Sequence, residues 1–132
     1  MAMTEDAEHI LHHYAYSCYN QGQWQKAIAT FRRLTMHYPN KSIYWYGLGS
    51  SQMMNGNDAE AAHAFEIATV HNPEDPRPLA YWAECAERLG NHELAVSIIK
   101  TAEKKAKSNE FASFLNQIEV IKERIVEVAH GS

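Results

Sequence analysis

The apolar, small and turn-forming residues of this chain recur with a step of 34 residues. Glycine stands at Gly22, Gly56 and Gly90, alanine at Ala27, Ala61 and Ala95, and a large apolar residue at Phe31, Phe65 and Ile99. Prolines 39 and 73 and asparagines 57 and 91 keep the same step. A glycine turn between two runs of apolar residues predicts a helical hairpin, and a fixed period predicts that hairpins stack against their neighbours.

The second copy of the pattern is the most complete. It carries Trp45, Leu48 and Gly49 on a first helix and Ala61 with Phe65 on a second. This string is similar to the tetratricopeptide repeat, whose pattern is W-x2-L-G, then tyrosine, then A-x3-F and proline. The resemblance implies an all-α fold in which three tetratricopeptide hairpins stack as a short right-handed solenoid with a C-terminal capping helix. The register predicts repeats at about 8–41, 42–75 and 76–109, a capping helix at about 110–129, and one domain over 1–132.

Local signals agree with these boundaries. The turn glycines should adopt positive φ, and Asn57 and Asn91 should cap the helices that follow them. Asp75 before Pro76 predicts the start of the third repeat. The copies also depart from the pattern, most visibly at Gln52, which replaces its tyrosine.

The last segment has apolar residues at helical spacing, among them Ile118, Ile121 and Ile125, with Ser108-Asn109 as its expected cap. Its polar positions, predicted to face water, are Glu119, Lys122, Glu123 and Glu127. A stack of hairpins needs such an end cap. No comparable helix precedes the first repeat, so that end is expected to form a homodimer contact or to lack a preceding segment.

Composition and charge exclude several classes. The chain has 132 residues, 45% hydrophobic composition and a net charge of -4, and it lacks a long basic run, so nucleic acid is not an expected partner. Its apolar runs are too short to cross a bilayer, and its acidic N-terminus does not resemble a secretion signal. We therefore expect a cytoplasmic protein without stable membrane insertion. Cys18 and Cys85 fall at apolar helical positions, as buried reduced thiols do.

Candidate chemistry is sparse. His9, His12 and His13 share one predicted helix face and could converge on a metal ion, with Glu5 or Glu8 as a further ligand; the alternative is a polar surface stripe. Phosphate-loop, nucleophile-elbow and zinc-protease motifs do not occur. We therefore expect neither an enzyme nor a cofactor.

The first helix of each repeat should line the concave side of the stack. Its positions opposite the packing residues predict a peptide-binding groove formed by His12, Tyr16, Tyr19, Ile43, Tyr46, Ser50, Met53, Ala80 and Glu84, with His9, Arg77 and Glu87 at its edges. Aromatic and methionine side chains suit an extended peptide with apolar anchors. The alternative is that the tyrosines only fill gaps between helices.

Three strings go beyond the general repeat. They are residues 15–22 (AYSCYNQG), residues 44–49 (YWYGLG), and Asp75-Pro76-Arg77-Pro78 followed by Ala83-Glu84-Cys85. Together they resemble the class II chaperones of bacterial type III secretion. This resemblance implies a bacterial cytoplasmic chaperone that holds an extended segment near the N-terminus of a translocator or effector protein in its concave groove, keeping that client soluble and export-competent. The alternative function is an adaptor or scaffold subunit without client-chaperone activity.

Overall fold

Seven α-helices and one 3-10 turn make up the part of the chain that the structure, a computed structural model, describes, residues 3–108 and 110–131. Within these ranges there is no β-strand. The helices are α1 (Glu5–Asn20), α2 (Trp24–His37), α3 (Ser42–Met54), α4 (Asp58–His71), α5 (Pro76–Arg88), α6 (His92–Ala106) and α7 (Leu115–Gly131), and the 3-10 turn is Ala112–Phe114. The all-α prediction is confirmed.

Glycine turns separate α1 from α2, α3 from α4, and α5 from α6. Gly22, Gly56 and Gly90 have φ values of 73°, 83° and 84°, a region that costs a residue with a side chain about 1–2 kcal/mol. The glycines that recur every 34 residues therefore all adopt the left-handed conformation, as predicted from the sequence.

The helix starts follow the predictions only in part. Asp75 caps α5, since its carboxylate accepts a hydrogen bond from the backbone N–H of Arg77, and Pro76 opens the helix. Asn57 and Asn91 are the N-cap residues of α4 and α6, as predicted, but neither side chain makes a capping hydrogen bond. The amide of Asn57 instead donates to Oε1 of Gln52 at 2.7 Å.

Each helix packs against the next one along the chain, and the residues that keep the 34-residue step form the core. Ala27, Ala61 and Ala95 are fully buried, and so are Phe31 and Phe65. Helices approach closely where alanine recurs, and the aromatic rings fill the space between them.

Helix α7 packs on α6 and α5 and supplies the end cap. Ile118, Ile121 and Ile125 are buried against the last repeat. The helix begins at Leu115 and not near residue 110, because the chain first makes the 3-10 turn, with Phe111 and Phe114 packed against the core of the last repeat.

The polar side of α7 differs from the prediction at one position. Lys122 is only half-exposed and donates to Glu103 of α6 at 3.1 Å, while Glu119 and Glu123 face water as expected. Ser108 bonds the carbonyl of Lys105 in the preceding helix rather than capping the next one. Asn109 and the side chain of Glu127 lie outside the described residues.

Candidate peptide-binding surface

A small cavity of about 130 Å³ lies between α1 and α3. Tyr16 and Tyr19 of α1 and Tyr46 and Ser50 of α3 line it, with Phe31 and Gly47 as the remaining walls. We call this cavity, defined by those six residues, the tyrosine pocket. Four of the nine predicted groove residues thus come together in one place.

The pocket depends on a close approach between α2 and α3. A Cβ atom on Gly47 would clash with the ring of Phe31, which is fully buried. Phe31 in turn meets Tyr16 edge-on, with ring centroids 5.5 Å apart. Glycine inside a helix costs about 1 kcal/mol relative to alanine. Gly47 therefore lowers the stability of α3 but leaves space for the ring of Phe31.

Burial raises the pKa of Tyr16, of Tyr19 and of Tyr46. The three phenols are therefore neutral at physiological pH and offer hydroxyl groups that can donate and accept. Within the described residues, none of these hydroxyls is hydrogen-bonded to another group of the protein. The pocket thus combines apolar ring surfaces with a few free polar groups, the composition typical of a ligand site.

Aromatic rings continue from the tyrosine pocket towards the last repeat. Tyr46 stacks on Tyr81 at 6.4 Å, and Tyr81 meets Phe114 edge-on at 5.9 Å. Tyr81 and Phe114 are not among the residues that the sequence predicts for the groove. Tyr81 stands 34 residues after Gly47 and 68 after His13, a position for which the repeat pattern prescribes no residue, so the period gave no signal for it.

Arg77 lies beside the rings of Tyr46, Tyr81 and Phe114, which we call the aromatic row. Its guanidinium lies 5.3 Å from the ring of Tyr46 and 5.6 Å from that of Phe111, within cation-π range. Asp75 fixes the group with two hydrogen bonds of 2.9 and 2.7 Å to Nε and Nη2, and this contact raises the pKa of Arg77. A permanent positive charge therefore lies beside the tyrosine pocket.

Two predicted groove residues lie elsewhere. Ala80 is fully buried in the core of the last repeat, so its assignment to an open surface is wrong. Glu84 is 7% exposed, and its carboxylate accepts a hydrogen bond from Arg124 of α7 and pairs with Arg88. The prediction treated Glu84 as an open surface residue, but α7 packs against this side of α5 and uses Glu84 as an anchor.

The other predicted residues lie around the pocket without lining it. His12 is half-buried between the rings of Tyr16 and Tyr44, at 5.0 and 5.1 Å, and burial lowers its pKa. Ile43 is 44% exposed at the start of α3. Met53 is half-buried and packs against the small core cluster around Phe65.

The edge residues of the prediction behave differently from one another. Arg77 contacts the aromatic row as described, while His9 is exposed on α1. Glu87 is paired with His92, whose Nδ1 lies 3.0 Å from its carboxylate.

Metal binding by the histidines of α1 finds no support in the geometry. Among the residues described, no three histidine, cysteine or acidic side chains are placed to share an ion. His9 and His13 are exposed, whereas His12 is held between two tyrosine rings. Cys18 and Cys85 are free and buried, and burial raises the pKa of Cys85 to about 12. Over the same residues, every helix is too short or too polar to span a bilayer.

Comparison with known proteins gives a consistent result. The sequence model described as "Tetratricopeptide repeat" matches residues 15–76 and 55–110. Curated proteins include no significant match to the chain. Many solved structures match the chain.

PcrH, a protein of Pseudomonas aeruginosa, in complex with the chaperone binding region of PopD has a TM-score of 0.89 at 22% identity, over 96% of each chain. The type III secretion translocator chaperone SycD of Yersinia enterocolitica has a TM-score of 0.86 at 23% identity, over 96% of this chain and 88% of SycD. A chain of the CopN–Scc3 complex has a TM-score of 0.83 at 25% identity, over 90% of this chain and 71% of that one.

These likenesses agree with the all-α helical repeat fold described above. The matched ranges together span residues 15–110, most of the chain. The protein belongs to the tetratricopeptide repeat family.

Proposed function

We propose that this protein is a type III secretion chaperone. It binds an extended apolar segment near the N-terminus of a translocator or effector protein and keeps that client soluble and export-competent in the bacterial cytoplasm. Its action is binding and not catalysis, and the three repeats with α7 form one domain over 1–132.

The tyrosine pocket is the observation that carries this proposal. A cavity of about 130 Å³ bordered by Tyr16, Tyr19 and Tyr46 accepts one apolar side chain of a bound segment. The free phenol hydroxyls beside it can bond the backbone groups of that segment, which an extended peptide leaves unpaired. Two similar structures support the class of ligand, since PcrH is seen with the chaperone binding region of PopD and SycD with a peptide of the translocator YopD.

The mechanism follows from apolar burial. Client residues that would aggregate or enter a membrane are covered by the aromatic row, and each buried CH₂ contributes about 0.8 kcal/mol. Several anchors in a pre-formed groove then hold the client unfolded without ATP.

The test is co-purification with secreted proteins encoded beside this gene. Tyr16→Ala with Tyr46→Ala should abolish capture, and Ser50→Phe should do so by filling the pocket. Tyr14→Ala is the matched control, because Tyr14 lies on α1 but is 47% exposed and outside the pocket.

Helicity measured by circular dichroism separates loss of binding from loss of fold. Unchanged capture by both folded pocket variants would refute the groove assignment. Loss of capture only with cap variants, such as Glu119→Ala, would favour the adaptor function.

A further inference from the structure

An open valley runs along the other side of α3. Its floor is formed by Trp45, Leu48 and Gln52, and α2 and α4 form its walls. A helix turns about 100° per residue, so this floor lies on the face of α3 opposite Tyr46 and Ser50. We call this groove, defined by its floor and the wall residues named below, the outer valley.

The outer valley is large and mainly apolar at one end. It encloses about 540 Å³ there, within the range of ligand sites. Met36 on its α2 wall is 76% exposed. Gln52 stands where the repeat pattern has tyrosine, so the floor lacks the aromatic ring that the pattern would place there.

At its other end the valley continues into a polar section of about 320 Å³. Arg32 on α2 and Glu60 on α4 line both sections from opposite walls. Both side chains are exposed, and neither forms an ion pair with any residue that the structure describes. Two unpaired charges of opposite sign therefore stand on the two walls where the apolar and polar sections meet.

We propose that the outer valley is a second protein-binding surface, separate from the tyrosine pocket. Its occupant is a segment of a protein partner that carries a large apolar side chain between an acidic and a basic residue. The apolar side chain covers Trp45 and Leu48, while the acidic residue pairs with Arg32 and the basic residue with Glu60. Opposite charges on the two walls fix the direction of the segment, because the reversed orientation would place like charges together.

The experiment uses the full chain and a displayed library of random peptides. Peptides are selected for binding to the unaltered protein and against binding to Ala59→Trp, because Ala59 on α4 lines the apolar end and is exposed, so that a larger side chain there fills the valley without entering the core. Affinities of the selected synthetic peptides are then measured by fluorescence anisotropy. The expected peptides have an apolar residue flanked by one acidic and one basic residue.

Charge variants give the second readout and do not depend on the folding of Ala59→Trp. Arg32→Glu should weaken these peptides about tenfold or more. Arg33→Glu, the same change on the adjacent exposed residue outside the valley, should leave affinity within about twofold. Arg32→Glu with Glu60→Arg should restore binding to peptides whose acidic and basic residues are exchanged.

Three outcomes would overturn the proposal. The first is the absence of any peptide that discriminates against Ala59→Trp. The second is equal affinity for Arg32→Glu and Arg33→Glu. The third is self-association of the chain that Arg32→Glu abolishes, which would make the occupant a second copy. None of these outcomes depends on the tyrosine pocket, so the proposed chaperone function is tested separately.

Discussion

Replacing Asp75 by alanine removes two contacts at the start of α5. The carboxylate caps the helix through the N–H of Arg77 at 3.0 Å and forms a fork with the guanidinium of the same residue. Loss of a cap costs about 1 kcal/mol. The fork has a carboxylate only 6% exposed but a guanidinium 43% exposed, so solvent screening places its contribution at about 1–2 kcal/mol, between a surface pair and a buried charged hydrogen bond.

The free energy of unfolding of Asp75→Ala, measured by urea titration, should therefore fall by about 2–3 kcal/mol. Asp75→Asn keeps a good capping residue and loses the charge, so it should fall by about 1–2 kcal/mol only. In a double-mutant cycle with Arg77→Ala, the coupling energy between Asp75 and Arg77 should equal the contribution assigned to the fork, about 1–2 kcal/mol. A loss below about 0.5 kcal/mol for Asp75→Ala would refute the assigned roles.

Three further predictions concern the cap, the first helix and a turn. Ile121→Ala should cost about 2–5 kcal/mol in urea unfolding because Ile121 of α7 is fully buried against the last repeat. Val120→Ala, at a position 41% exposed, should cost under about 0.5 kcal/mol; equal losses would contradict the packing of α7. Lys41 donates a hydrogen bond to the carboxylate of Glu8 and thereby lowers the pKa of Glu8 below its ordinary 4.5. The stabilisation that this contact gives the fold is therefore complete above pH 4.5 and is lost as the pH falls through the lowered pKa. The stability difference from Glu8→Gln should shrink in acid, and a constant difference down to the lowest pH would contradict the contact. Gly56→Ala should lose about 1–2 kcal/mol from positive φ alone, since a Cβ there has open space, and Gly56→Asn should lose less; the reverse order would be evidence against the turn assignment.

Much of the fold is predictable because several residue classes repeat at one period. The Asp75-Pro76 helix start is predictable from local capping chemistry and is not repeated. The turn glycines and the buried alanines depend on contacts within a repeat or between adjacent repeats. Such contacts recur in each copy, so their residues recur as well. The same regularity identified Tyr16, Tyr19, Tyr46 and Ser50 as one surface.

The errors occur where contacts are made once and not repeated. Ala80 and Glu84 were placed by strict periodicity, but α7 covers this side of α5, and Arg124 of α7 binds Glu84. The side chain of Asn57 was expected to make a capping hydrogen bond at the start of α4. It bonds the side chain of Gln52 instead, and Gln52 is itself a departure from the repeat pattern. The start of α7 could not be predicted from helical spacing. Phe111 and Phe114 are apolar residues that pack against the last repeat, but the chain makes a 3-10 turn there before the helix begins.

The contact between client and groove can be measured directly by site-specific photo-crosslinking. A benzophenone amino acid at Ile43 places the probe on the exposed edge of the face that carries Tyr46, and the same amino acid at exposed Glu66 on α4 serves as the control. With a co-expressed translocator or effector, position 43 should crosslink to an apolar segment near the client's N-terminus, and position 66 should not. Crosslinks from position 66 alone, or from position 43 only to a folded domain of the client, would contradict the chaperone function.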